Sequence, residues 1–224
     1  MTMMTGGQAA VEALKTEKVN HVFGLIGSAT MEIFDALYDA PEINFIGIHD
    51  ERTGTHMADG YARASGRTGV VLAGQNGPGA TNLVTGLAQA MAAFSPVVSI
   101  AGALSTAHLY RDAFQEVDQE ALFKPITKKT WTAPSADRIP EMFREAFRVA
   151  NAPRKGPVQL NLPRDVLSAQ ADYAPLQSVD EYRPCAAPAG EASAIARAAD
   201  RLHSAKRPVC LLYTSDAADE EDSV

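Results

Sequence analysis

The chain has 224 residues, 46% of them hydrophobic and 21% charged, with a net charge of −7. That composition suits a globular fold. It holds no run of about 18 apolar residues that could span a membrane and no basic patch that could hold nucleic acid.

Two cysteines, Cys185 and Cys210, make no metal-ligand spacing, and no secretory signal is visible at the N-terminus. Together these suit a reducing cytoplasm. Thr5 and Gln8 stand three apart in the pattern of a capping box. Ala10, Val11, Ala13 and Leu14 form the apolar side of the helix that follows. His21 to Ile26 predicts a first strand. Gly27-Ser28-Ala29-Thr30 is then a tight turn into a helix with Ile33, Phe34, Leu37 and Tyr38 facing inward. Such a turn suits an anion or a close backbone approach, and equally a plain connection.

Asn44 to Ile48 predicts a second strand, ending in the cluster His49-Asp50-Glu51-Arg52, and Thr53 to Ala64 a helix. Gly69 to Gly74 is the next strand, closed by the loop Gln75-Asn76-Gly77-Pro78-Gly79. Leu83, Leu87, Ala90, Met91 and Phe94 recur at helical spacing, and Pro96 to Ala101 follows as a strand. Strands alternating with helices of this length imply right-handed crossovers and a parallel sheet. Ligands of such sheets sit beyond the carboxyl ends of the strands, where Glu51 and the Gly77-Pro78-Gly79 turn fall. By position alone Glu51 is an acid at a helix N-terminus, favoured by the dipole.

From Gly102 to Lys129 there is little periodicity beyond a short helix up to Phe123, stopped before Pro125. A segment of this length without regular structure is usually functional or flexible. Ser135 and Asp137 offer caps for a helix with Pro140 in its first turn. Ile139, Met142, Phe143, Ala146, Phe147 and Ala150 line one face of it. Val158, Leu160 and Leu162 alternate in a last strand closed by Pro163. The five histidines read as packed or solvated, and Trp131 and the methionines as packing.

The expected fold class is α/β, a parallel sheet flanked by helices on both faces, plus the truncated start of a second α/β domain. Residues 1–170 form the first domain and 171–188, with Pro175, Pro184 and Pro188, a linker. Residues 189–209 begin the second domain, with a helix over Ala192 to Leu202 and a strand opening at Arg207-Pro208-Val209. Residues 210–224 resemble the translation of a transposase sequencing adapter and are left out of fold reasoning. Five acids and no base stand in the last nine residues.

Glu51, the run Ala58-Asp59-Gly60-Tyr61-Ala62-Arg63, Gly77-Pro78-Gly79-Ala80-Thr81-Asn82 and Ala113-Phe114-Gln115-Glu116 follow one another in a specific order and spacing. In this they resemble the pyrimidine-binding domain of thiamine diphosphate enzymes of the acetolactate synthase type. The resemblance implies an active site between two copies of the chain. One copy supplies this domain, and the other supplies a diphosphate-binding domain with Mg²⁺. It implies that Glu51 bonds to N1′ of the aminopyrimidine and favours the imino tautomer that takes the C2 proton, so that the cofactor performs the hard step. It further implies that Gly77, Pro78 and Gly79 touch the pyrimidine, and that Asn82 reaches the same site or caps its helix. Gly27 and Ser28 bring backbone close to the thiazolium and substrate, and Phe114 and Gln115 line the substrate side. No metal ligand is expected in this chain, and FAD is a further cofactor such enzymes can carry. The reaction implied for the whole enzyme is formation of a cofactor-bound carbanion from a 2-oxo acid and transfer of the two-carbon unit, with sulfoacetaldehyde acetyltransferase or 2-oxo acid decarboxylase as alternatives; the fragment alone is expected to be inactive.

Three positions depart from the acetolactate synthase pattern. Asp50 stands where histidine is usual, Gln75-Asn76 where serine is usual, and Gly27-Ser28-Ala29 where two glycines and an alanine are usual. Asn76 to Gly79, Gly27 to Ala29 and Ser95 to Val98 look more like sulfoacetaldehyde acetyltransferase. Asp112 to Glu116 looks more like acetolactate synthase. Two other readings stand beside these: a stand-alone module paired with a separate diphosphate-binding chain, and a catalytically silent homologue with a binding or regulatory role.

Overall fold

The computed structural model describes residues 2–183 and 189–209. The chain divides into two compact units, Met1–Val179 and Asp180–Val224. The first therefore runs nine residues beyond the boundary at 170 expected from sequence.

In chain order the first unit contains β1 (Thr2–Thr5), α1 (Gly6–Thr16), β2 (His21–Leu25), α2 (Met31–Tyr38), β3 (Asn44–Gly47), α3 (Glu51–Ser65) and β4 (Gly69–Ala73). There follow α4 (Pro78–Asn82), α5 (Val84–Ala92), β5 (Val97–Ala103), α6 (Gln119–Phe123), β6 (Lys129–Thr132), α7 (Ile139–Asn151), β7 (Val158–Pro163), α8 (Arg164–Ser168) and β8 (Gln170–Tyr173). Six strands form one parallel sheet in the order β3-β2-β4-β5-β7-β6. The capping box is present: Thr5 N donates to Gln8 Oε1 at 2.9 Å and Gln8 N to Thr5 Oγ1 at 3.2 Å.

Alternate strand residues serve opposite faces, as a period of two requires. Val70, Leu72, Val98 and Ile100 join one cluster with α1, α2 and α7, which holds Leu14, Ile33, Ile139, Phe143 and Phe147. Val71, Ala73, Val97 and Ala101 join a second with α3, α5 and Phe123 of α6, including Ala58, Leu83 and Leu87. Helices thus cover both faces. Each large apolar side chain fully buried in these layers contributes about 1.5–3 kcal/mol.

Several expectations are corrected. Tyr38 is 90% exposed, and Met91 and Phe94 are 36% and 44% exposed. Tyr38 and Met91 lie in the last turns of α2 and α5, and Phe94 lies two residues beyond α5. Helix α3 begins at Glu51 rather than Thr53, because Asp50 caps it and accepts hydrogen bonds from Arg52 N and Thr53 N. Strand β6 falls in a segment without period. It is a sheet edge, where Lys129 stacks over Trp131 at 4.7 Å and a charged residue blunts further pairing. Strands β1 and β8 pair antiparallel, Thr2 with Tyr173 through Thr5 with Gln170, so the first residues of the expected linker belong to a ladder. Strand β7 is buried on both faces, and Gln159 and Asn161 between its apolar residues are 0% exposed. They join Gln119 in an amide network (Gln119 Nε2 to Asn161 Oδ1, 2.8 Å).

Helix α9 (Val179–Tyr182) begins at the unit boundary. In the second unit α10 (Ala192–Ser204) is capped by Glu191 and buries no residue. Residues 207–209 carry no strand. Cys185 and the adapter-like 210–224 lie outside the described residues.

Candidate active site

The strand order turns back between β2 and β4. β2 leads through α2 to β3 on its outer side, while β4 leads through α4 and α5 to β5 on the other. Their following turns therefore part and open a crevice, the usual ligand position in such sheets. The two turns touch at its base. A methyl on Gly27 would lie 2.4 Å from Gly74 O, so backbone meets backbone there. Ala29 N donates to Gly74 O at 3.0 Å. The Gln75 Oε1 accepts from Ser28 Oγ at 3.1 Å and Ala29 N at 3.3 Å. Two of the unusual residues, Ser28 and Gln75, thus bond to each other.

Glu51, first residue of α3, is only 5% exposed. Its Oε2 accepts a hydrogen bond from Asn82 Nδ2 at 3.0 Å. Its Oε1 faces Gly79, where an added methyl would lie 3.1 Å away, and takes no hydrogen bond from the described residues. The Asp50 side chain turns instead to its own helix backbone and, at 3.8 Å, to Arg52. Gly77 has φ 55° and ψ −107°, a conformation reserved for glycine, and it starts α4 with Pro78 in the first turn. Opposite it, Asn76 Nδ2 donates to Gln115 O at 2.9 Å.

Sequence reasoning placed Glu51, Gly77, Pro78, Gly79 and Asn82 in one site, and the structure brings them together. Gly27 and Ser28 border the same crevice through Gln75. Gln115 arrives by its backbone, whereas Phe114 is 83% exposed on its loop. Gln75 and Asn76 had no role assigned from sequence. Their signal was two amides directly before a Gly-Pro-Gly turn.

The Asp59 and Arg63 of the α3 motif serve another purpose. Arg63 Nε and Nη2 each bond the Asp59 carboxylate at 3.0 Å, and Gln89 Nε2 of α5 bonds it at 2.9 Å. Burial pushes the Asp59 carboxyl up. The Ser95, Arg63 and Gln89 side chains beside it outweigh that and hold it below the usual aspartate range. Gln89 ties the Asp59 carboxylate of α3 to α5, while Arg63 braces that carboxylate from within α3.

Among the described residues, no group of three or more His, Cys, Asp or Glu stands together as a metal site. No described helix is long and apolar enough to cross a membrane.

A family model, the thiamine pyrophosphate enzyme N-terminal TPP binding domain, matches residues 4–122, more than half of the chain. The chain belongs to this thiamine pyrophosphate enzyme family.

Relatives agree. A probable acetolactate synthase large subunit of Methanocaldococcus jannaschii is 42% identical over 213 residues, covering 93% of this chain and 35% of its own length. The acetolactate synthase isozyme 3 large subunit of Escherichia coli is 37% identical over 93% of this chain and 37% of its own. An acetolactate synthase of Mycobacterium bovis is 36% identical over 93% and 34%. The chain thus spans about a third of the length of the curated relatives it matches.

The cofactor of this family is thiamine diphosphate, and the crevice fits one end of it. A buried carboxylate offers one oxygen that takes no hydrogen bond from the described residues, and the absence of a side chain at Gly79 keeps the approach to it unblocked. A flat ring with a nitrogen to share a proton suits that pairing.

Proposed function

We propose that this chain supplies the pyrimidine-binding half of an acetolactate synthase-like active site within a longer protein. In this reading Glu51 holds a proton between its Oε1 and N1′ of the aminopyrimidine, and Asn82 orients the carboxylate through Oε2. The Gly77-Pro78-Gly79 turn lies along the ring, with Gly27, Ser28 and the Gln75 bridge shaping the neighbouring wall. Phe114 and Gln115 face the substrate. When bound, thiamine diphosphate would supply a nucleophilic carbon for the keto carbon of a 2-oxo acid, whose carboxylate would leave as CO2 while the remaining two-carbon unit goes on to an acceptor. The diphosphate and Mg²⁺ are held by a domain outside this chain, contributed by a second copy; FAD is a further cofactor that enzymes of this type can carry. The whole is cytoplasmic.

The observation that supports this best is the buried Glu51 with Oε1 open toward Gly79. Relatives bearing the acetolactate synthase name favour a 2-oxo acid over sulfoacetaldehyde as donor. The test is Glu51→Gln in the full-length protein. A positioned proton-transfer group contributes roughly 10²–10⁴-fold, so kcat with a 2-oxo acid should fall by that factor. Normal turnover would end the assignment. Titration of the full-length protein with thiamine diphosphate and Mg²⁺ separates the other readings. Heat only after adding a partner chain would favour a split enzyme, and no heat in any form a silent homologue.

A further inference from the structure

The loop between β5 and α6 carries three non-glycine residues in the left-handed region within six positions: Tyr110 (φ 61°), Asp112 (φ 50°) and Gln115 (φ 61°). Each costs of order 1 kcal/mol or more unless its surroundings impose it. Little apolar packing imposes it here, since Tyr110 and Phe114 are 96% and 83% exposed. What gathers the middle of the loop is one carboxylate. Glu116 Oε1 accepts from Tyr110 N at 2.6 Å and Oε2 from Ala113 N at 2.9 Å. The backbone amides of Ala113, Tyr110, Arg111 and Asp112 hold its carboxyl below the usual glutamate range. Glu116 N also donates to Ala113 O at 3.0 Å and closes the turn.

The far side of this loop presses on the glycine turn. Asn76 Nδ2 bonds Gln115 O, and a methyl on Gly77 would lie 2.6 Å from the same oxygen. Gly79, two residues on, borders Glu51 Oε1. A contiguous path therefore runs from Glu116 through the loop backbone to Gln115, Asn76 and Gly77, and on to the candidate acid.

We propose that Glu116 is a positioning residue: its carboxylate gathers the backbone amides of residues 110–113 and so presents Phe114 and Gln115 on the substrate side of the site. The substrate-side role rests on the function proposed above; the clamp itself does not. The Glu116 carboxylate itself bonds only loop amides, and the Asn76 bond to Gln115 O still ties the loop to the glycine turn without it, so its loss weakens substrate capture more than cofactor binding.

Arg111 offers a direct readout, because it is exposed within the clamped segment. In the 224-residue chain, Glu116→Ala should speed tryptic cleavage after Arg111 at least about tenfold, the population shift expected when two charge-assisted bonds are lost. Glu116→Gln, which keeps one accepting oxygen, should fall between the two, and Glu120→Ala on the neighbouring exposed turn should match wild type. In the full-length protein, Glu116→Ala should raise KM for a 2-oxo acid about tenfold with kcat within about twofold, and leave thiamine diphosphate affinity unchanged. Equal cleavage rates in wild type and Glu116→Ala would overturn the clamp. Faster cleavage with unchanged KM would overturn the positioning role. A wild-type protein that turns over no 2-oxo acid would instead sink the proposed reaction, and the cleavage ratio alone would then decide the clamp.

Discussion

Gly79→Ala separates a cleft kept open from a helix merely begun. Residue 79 lies in α4 with an ordinary helical backbone, so alanine gains about 1 kcal/mol of helix propensity over glycine. The added methyl would stand 3.1 Å from both Gln75 Cβ and Glu51 Oε1. Moving those groups by a few tenths of an ångström costs on the order of 1 kcal/mol. The two effects offset each other. Stability should stay within about 1 kcal/mol of wild type, and Tm within about 4 °C. The methyl, however, crowds the Glu51 oxygen that takes no hydrogen bond from the described residues. Thiamine diphosphate affinity of the full-length protein should therefore fall at least about tenfold, or about 1.4 kcal/mol. Differential scanning calorimetry reads the first quantity and isothermal titration in the presence of Mg²⁺ the second. Cofactor affinity within about twofold of wild type would refute the reasoning, because Oε1 could then not be where the ring binds.

Gly77→Ala should behave in the opposite way. Its positive φ and a methyl 2.6 Å from Gln115 O cannot be relieved by a side-chain rotation. A loss of about 2–4 kcal/mol is expected, seen as a fall in Tm of roughly 5–15 °C; an unchanged Tm would contradict it. Asp59→Asn tests the lock between α3 and α5 through pH. Folding depresses the Asp59 carboxyl, so its stabilisation is complete above the unfolded pKa and is lost as pH falls through the lower folded value. The Tm gap between wild type and variant should be widest near neutrality and close on acidification. A gap constant from about pH 7 to about pH 3 would show that the ionised pair contributes nothing.

Much of the fold was legible because its signals are local. Ile139, Met142, Phe143, Ala146, Phe147 and Ala150 repeat every three or four residues, and all are buried. Thr5 and Gln8 announce a cap that needs only its own helix. Edge strand β6 and the β1–β8 ladder were not legible. Four residues such as Lys-Thr-Trp-Thr have no period of their own and become strand only when a neighbour offers hydrogen bonds. Tyr38, Met91 and Phe94 were misjudged for a related reason. Periodicity tells which side of a helix is apolar but not how far along the chain that side stays covered.

The sequence by itself determined the alternation of strands and helices, the acid at the head of α3, and a glycine turn needing a backbone that other residues refuse. Those properties belong to single residues and to spacings of a turn or less. Only the tertiary structure decided that Asn82 would bond one oxygen of Glu51 while Gly79 left the other open. It alone decided that Gln75 would join the turns after β2 and β4, and that Glu116 would hold a strained loop against Gly77. The Glu116 bonds apart, these contacts unite segments tens of residues apart, and their geometry is set by the order of the strands beneath them, which no local pattern encodes.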